Sequence, residues 1–250
     1  MSGHSKWSTI KRKKGAIDAA RGRVFTKLIK EITVAARQGG GDPDSNPRLR
    51  TALLAGRAQN LPADNIKKAI QRGTGELPGQ SYDEIQYEGY GPGGVAILMQ
   101  TLTDNRNRTV GELRHILTKS GGNMGETGSV GWIFSKKGMI EIDASGVSED
   151  TVMEVALDAG AEDVKTEEGM ISVLCAPHDF EAVKSALESK KIPLGTSEVA
   201  MIPSTSIKLE GKEAEQMMKL MEALEEHEDV QNVYANFDID EAVMERFSGA

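Results

Sequence analysis

KGMIEIDASGVSEDTVMEVALDAGAEDVKTEEGMISVLCAPHDFEAVKSALESKKIPLGTSEVAMIP, residues 137–203, switches repeatedly between two hydrophobic periods. Side chains of a strand alternate between two faces, while those of a helix return to one face about every 3.6 residues. On that basis Met139–Ile142 is a strand and Glu149–Ala159 a helix. Asp163–Thr166 and Ile171–Cys175 are strands about the turn Glu167-Glu168-Gly169, followed by a helix at Phe180–Glu188 and a strand at Glu198–Ile202. The order β-α-β-β-α-β is the ferredoxin-like one. Downstream, Ser206–Leu209 (strand), Glu213–His227 (helix) and Val230–Asn236 (strand) are too few to close a domain. Upstream, Glu84–Glu88 and Val95–Leu102 are strands, Thr109–Lys119 a helix and Val130–Phe134 a strand. Joined, the flanking pieces complete a second α/β unit of similar kind, so the expected fold class is α+β with one ferredoxin-like domain inserted into another. Two consecutive small α+β domains are the competing arrangement.

Residues 1–78 follow a different plan. Gly3–Lys14 has no apolar period and contains Lys11-Arg12-Lys13-Lys14, which reads as a flexible basic arm. From Ile17 the pattern is helical: Val24, Phe25, Leu28, Ile29, Ile32, Ala35 and Ala36 share a face, and Arg23, Lys27 and Lys30 project from another at spacings of four and three. Gly39-Gly40-Gly41 ends this helix, because each glycine raises the entropic cost of continuing it. Pro47 opens a second helix behind the capping candidates Ser45 and Asn46, with Leu49, Ala52 and Leu53 on its apolar side. After Asn60-Leu61-Pro62 a third helix turns Ile66, Ala69 and Ile70 inward and Lys67, Lys68 and Arg72 outward, with Gly73 as its C-terminal cap. The second and third helices around their short turn resemble a helix-turn-helix, a pattern that any helical bundle shares. The expected domains are 1–78 (basic, helical), 79–136 plus 204–250 (split α/β) and 137–203 (inserted).

The formal charge of −8 conceals a division. Residues 1–76 carry 16 Lys and Arg against 6 Asp and Glu, a net of +10; the remainder carries 14 against 32, a net of −18. A polyanion-binding module joined to a body that repels polyanions has this composition. The longest apolar run is Val95–Met99, far short of a membrane span, and the first residues lack the apolar stretch of a secretory signal. A single cysteine forms no internal disulfide, which suits the reducing cytoplasm.

Reactive chemistry finds little support. Gly89-Tyr-Gly91-Pro-Gly93-Gly94 matches G-x-G-x-x-G, but a dinucleotide site needs a helix after it, and Val95–Met99 is strand-like. It is a hairpin turn. Gly121–Gly128 lacks the Lys-Ser/Thr ending of a phosphate loop. His4, His115, His178 and His227 are scattered without metal-ligand spacing, Cys175 reads as a small buried side chain, and Asp238–Glu241 as a helix cap. No catalytic residue, metal, cofactor or small-molecule substrate is expected. Arg106 and Arg108, by contrast, stand at the start of a helix, where they oppose the macrodipole. An anion held there by helix amides and both guanidiniums would explain them; pairing with Asp104 would explain them equally.

Gly3–Trp7, Ile10-Lys11, Phe25–Glu31, Asn60–Ile66, Tyr87–Gly94, Thr103–Thr109, Gly121–Gly125, Gly128–Val130 and Asn232–Asn236 together resemble the YebC/PmpR family over essentially the whole chain. The resemblance implies a cytoplasmic, non-enzymatic protein with a helical N-terminal domain and two α/β domains, the last inserted into the middle one. It implies DNA-binding transcriptional regulation for bacterial members and translational activation of cytochrome c oxidase synthesis for mitochondrial ones. Relief of ribosome stalling at proline-rich stretches is also attributed to bacterial members.

Nucleic acid, DNA or ribosomal RNA, is therefore the expected partner, with the ribosome as a second setting and no role for a membrane. The third alternative is an acid-surfaced protein-interaction adaptor. The residues expected to meet nucleic acid are Lys6, Trp7, Lys11, Arg12, Lys13, Lys14, Arg21, Arg23, Lys27, Lys30, Arg48, Arg50, Arg57, Lys67, Lys68 and Arg72, with Arg106 and Arg108 as a candidate anion site. Trp7 has two expected uses, stacking on a base or anchoring the arm to its own domain.

Overall fold

The computed structural model describes Trp7 and residues 18–167, 169–240, 242–244 and 247; for residues 18–21 it describes the backbone alone. Three helices come first: α1 (Asp18–Gly39), α2 (Pro47–Ala58) and α3 (Ala63–Gly73). Their apolar stripes meet in one core, with Ile32, Ala35, Ala36, Leu49, Leu53, Leu61 and Ala69 buried. Asn46 joins two of them. Its side-chain oxygen accepts from Leu49 N at 3.1 Å, capping α2, while its Nδ2 donates to Ala35 O and Gly40 O at 2.8 Å each, holding the end of α1. α2 and α3 lean on α1 rather than on each other, so they are walls of a bundle more than a helix-turn-helix pair. Gly73 differs from its expected role as a cap. It is the last residue of α3, and a Cβ there would lie 2.4 Å from Thr33 O and 2.7 Å from the Ala36 Cβ; its absence lets α3 touch the α1 backbone. Gly75, at φ +83, turns the chain instead.

The middle domain begins with β1 (Asp83–Tyr90) and β2 (Ala96–Thr103), antiparallel from Asp83↔Thr103 to Tyr90↔Ala96. Gly91–Gly94 is their hairpin turn, closed by Gly91 N donating to Val95 O at 2.8 Å, with Gly93 at φ +68 and Gly94 at φ +79. α4 (Arg106–Lys119) starts three residues before the expected position, because Asn105 caps it through Arg108 N. The short β3 (Asn123–Met124) pairs with β1. The expected strand Val130–Phe134 does not form. The buried Glu88 carboxylate accepts from the backbone N–H groups of Gly128 (2.9 Å), Val130 (2.6 Å) and Gly131 (2.8 Å), which curls the chain around it. Residues Gly131–Ile133 become a 3-10 turn instead.

Next comes β4 (Phe134–Asp143), a single ten-residue strand that opens the inserted domain. With α5 (Glu149–Asp158), β5 (Ala161–Glu167), β6 (Met170–Cys175), α6 (Phe180–Ser189) and β7 (Ser197–Pro203) it forms an antiparallel sheet ordered β5-β6-β4-β7, the ferredoxin-like order. The two ends of the insertion are neighbours: Phe134 pairs with Pro203, and Ser204 N donates to Ile133 O at 2.8 Å. Position 136 thus lies inside a strand. The chain then returns through β8 (Ile207–Lys208), α7 (Gly211–Glu226), β9 (Val230–Ala235) and β10 (Phe237–Asp238). β9 completes the middle sheet, ordered β3-β1-β2-β9, and β8 pairs in parallel with β10.

Both faces of β2 are covered. Ile97 and Met99 face the core under α4 and α7, with Leu113, Leu117, Met217, Met221 and Leu224. Ala96 and Leu98 face the other way and meet Phe134 and Ala200 of the inserted domain together with Tyr234. No helix of the described residues is long and apolar enough to cross a membrane.

Candidate nucleic-acid interface

The expected nucleic-acid contacts divide into two sets according to which side of the three-helix domain they occupy. Arg23, Lys27 and Lys30 lie along one edge of α1, and all three reach a single five-residue segment of the middle domain, 225–229. Arg23 Nη2 meets Glu226 Oε1 at 2.8 Å. Lys27 Nζ donates to Glu225 O at 2.6 Å, one of the carbonyls left over at the negative end of α7. Lys30 Nζ donates to Glu228 O at 3.2 Å and to Asp229 Oδ1 at 2.5 Å, and it lies 5.6 Å from the centre of the Tyr82 ring.

Asp229 is the centre of this junction. Its side chain is 1% exposed. Besides Lys30 it accepts from Arg108 Nη2 at 2.8 Å and from Thr109 Oγ1 at 2.7 Å. Burial alone would raise its pKa, but the hydrogen bonds from Lys30, Thr109 and Arg108 outweigh that and hold it well below the usual carboxylate range. Arg108 is correspondingly raised, first by Asp229 and also by Asp104, which it meets at 2.9 Å. The candidate anion site at the start of α4 thus holds an anion belonging to the chain itself, Asp229, 121 residues further on. Arg106 takes no part; it pairs with Asp83 at 2.9 Å on the surface.

Two other expected contacts are also drawn inward. Trp7 is buried, with its indole Nε1 donating to Glu225 Oε1 at 3.0 Å and its ring 6.2 Å from that of Phe247. It anchors to the middle domain, not to its own domain, and its face is closed to a base. Arg48 grips Glu31 with Nε at 2.7 Å and Nη2 at 3.0 Å, and reaches Glu84 of β1 at 3.0 Å. Its hydrogen bond to Glu31 is the strongest influence and, with the one to Glu84, raises its pKa against the opposing effect of burial. Lys30, at 6% exposure, is buried like Trp7.

The second set faces outward. Arg50 and Arg57 are exposed on α2, two turns apart, with the exposed Leu54 between them; Lys67, Lys68 and Arg72 are exposed on α3. Among the described residues Arg50 donates only to the backbone oxygens of Pro43 and Asp44. Arg57, Lys67, Lys68 and Arg72 form no ion pair among the described residues. Lys6, Lys11, Arg12, Lys13 and Lys14 lie outside the described residues, as does the side chain of Arg21.

Two residues had no signal in spacing or pattern. Asp229 is one, since a lone aspartate after a helix looks like any polar turn. Trp132 is the other: it sits in the turn set up by Glu88, is 76% exposed and donates Nε1 to Ser129 O at 3.1 Å. The fold also gathers Glu112, His227 and Asp229, whose ligand atoms lie within 4.8 Å of one another, a grouping that histidine spacing did not suggest. Their partners argue against a metal centre. His227 Nδ1 accepts from Asp229 N at 3.1 Å, and Lys30 and Arg108 bring positive charge to the carboxylate a cation would need.

The description "TACO1/YebC protein N-terminal domain" matches residues 5–76, and "TACO1/YebC second and third domain" matches residues 82–237. A probable transcriptional regulatory protein of Desulforapulum autotrophicum is 59% identical over 243 residues, covering 97% of this chain and 98% of that one. Another, of Geobacter sulfurreducens, is 59% identical over 246 residues, covering 98% and 99%. The crystal structure of a conserved hypothetical protein from Aquifex aeolicus superposes with a TM-score of 0.77 at 45% identity, covering 90% of this chain and 93% of that one. With both domain descriptions matched and relatives of this identity along almost its whole length, the chain belongs to the TACO1/YebC family.

Proposed function

We propose that the protein is a non-enzymatic, nucleic-acid-binding regulator of gene expression whose N-terminal domain grips the phosphate backbone with its outward cations. The sorting of the cations carries this reading. Those on the inner edge of α1 are all matched to acceptors of the middle domain, whereas Arg57, Lys67, Lys68 and Arg72 stand exposed with no ion pair among the described residues. Lys6, Lys11, Arg12, Lys13, Lys14 and Arg21 add six more positive charges in the same N-terminal stretch of sequence. Lysines and arginines on phosphates release counterions and give affinity with little sequence preference. Relatives named as probable transcriptional regulatory proteins support DNA as the first target.

Ribosomal RNA is the second target, and Trp132 favours it. A 76% exposed indole on an ordered turn suits stacking on an unpaired base, which folded RNA offers and an intact DNA duplex does not. The test is a pair of anisotropy titrations of the whole protein, with a DNA duplex and with a structured RNA, repeated at several salt concentrations. Salt-dependent binding to either supports the reading. Preference for RNA that disappears in Trp132→Ala assigns the second target, and no binding to either polymer at low salt removes the proposal.

A further inference from the structure

The inner row Arg23, Lys27 and Lys30 carries the same kind of charge as the outer set, yet among the described residues its hydrogen bonds run to carboxylate or carbonyl oxygens of residues 225–229, with Lys30 also against the Tyr82 ring. Carboxylate and carbonyl oxygens 2.5–3.2 Å from three cations on successive turns of α1 occupy the positions that phosphate oxygens of a polyanion would take. The contact is graded. At one end Arg23 and Glu226 have side chains 38% and 51% exposed, while at the other Lys30 and Asp229 are 8% and 1% exposed. A surface ion pair of the first kind is weak and screened by salt; a buried one of the second kind is costly to break. The row therefore opens from the Arg23 end.

We infer that segment 225–229 is an internal competitor for nucleic acid, and that Arg23, Lys27 and Lys30 are a second phosphate-binding row reached when this segment yields. The inference rests on the nucleic-acid reading above. One consequence is an affinity set by competition within the molecule as well as by net charge.

The experiment uses the full chain and a labelled DNA duplex, with a structured RNA in parallel. Glu226→Arg repels the open end of the row's cover. Glu181→Arg makes the same change of charge at an exposed position on α6 of the inserted domain. Glu226→Arg is expected to tighten binding at least several-fold more than Glu181→Arg and to steepen the log–log salt slope by roughly one to three units, at about 0.9 per phosphate contact. Adding Lys27→Ala is expected to cost more in the Glu226→Arg background than in the Glu181→Arg background. Equal gains from the two reversals, or an equal cost of Lys27→Ala in both, overturn the competitor while leaving the outer set intact. Absence of binding by wild type and variants alike overturns the nucleic-acid reading and the competitor with it.

Discussion

Asp229 gathers Lys30, Arg108 and Thr109 around one buried carboxylate, so the cost of its loss falls on the cations left behind. Asp229→Asn is expected to destabilise the protein by about 3 kcal/mol in urea unfolding at pH 7, the low end for breaking a buried pair. The pH dependence has a definite sign. A carboxyl whose folded pKa is depressed contributes its full stability above the ordinary aspartate value of about 3.9 and loses it as pH falls toward the folded value. The gap between wild type and Asp229→Asn should therefore narrow below about pH 4; a gap constant down to pH 3 would show that the carboxylate is not held ionised. The neighbouring arginines separate cleanly. Arg108→Ala should lower the melting temperature because it strips a donor from Asp229, whereas Arg106→Ala, which loses only a surface partner, should melt like wild type. Gly73→Ala should cost about 1–3 kcal/mol, since a Cβ 2.4 Å from Thr33 O forces α3 off α1. The oddity of arginines at a helix start was legible in the sequence; their anion was not, because nothing local links Arg108 to a residue so distant. Likewise a glycine at a helix end reads as a cap until its neighbour across the bundle is known.

Helices with a strong apolar stripe were legible nearly to their ends. α1, α2 and α3 appear where spacing, Asn46 and Pro47 place them. Elements governed by one distant polar group were not. Val130–Phe134 has the composition of a strand, yet three of the backbone N–H groups at 128–131 are taken by Glu88, and the strand waits until Phe134. Which side of a helix its cations serve was also hidden, because Arg23, Lys27 and Lys30 look in sequence like Lys67, Lys68 and Arg72. The outer cations supply the element-scale prediction. Replacing Arg57, Lys67, Lys68 and Arg72 by Ala should weaken nucleic-acid binding uniformly across sequences and flatten the log–log salt slope, by up to ~3.6 units if every side chain meets a phosphate. The melting curve should be unchanged, because none of the four has an ion pair to lose among the described residues. An unaltered slope would move the binding surface off α2 and α3.

Across the whole molecule, the order of elements pointed to an insertion, since the three elements after residue 203 are too few to close a domain of their own; the way the domains bear on one another was invisible. The unbroken apolar run Val95–Met99 suits a strand buried on both faces but does not say that Ala96 and Leu98 serve the inserted domain. Because they do, the two α/β domains should unfold as one unit. Leu98→Ala, at a fully buried position, should cost about 2–5 kcal/mol and reduce hydrogen-exchange protection in both β9 and β7; loss confined to one sheet would make them independent. The same interleaving sets a timetable for synthesis. A chain made from its N-terminus has every strand of the inserted sheet once Pro203 has emerged, while the middle sheet still lacks β9, which ends at Ala235. The inserted domain can therefore mature first, although it begins later than the domain around it, and β1 and β2 must wait with an open edge. Such an edge invites pairing with another chain. Phe134 and Pro203, already side by side, hold the unfinished halves together until β9 arrives, so the insertion acts as a scaffold for its own host.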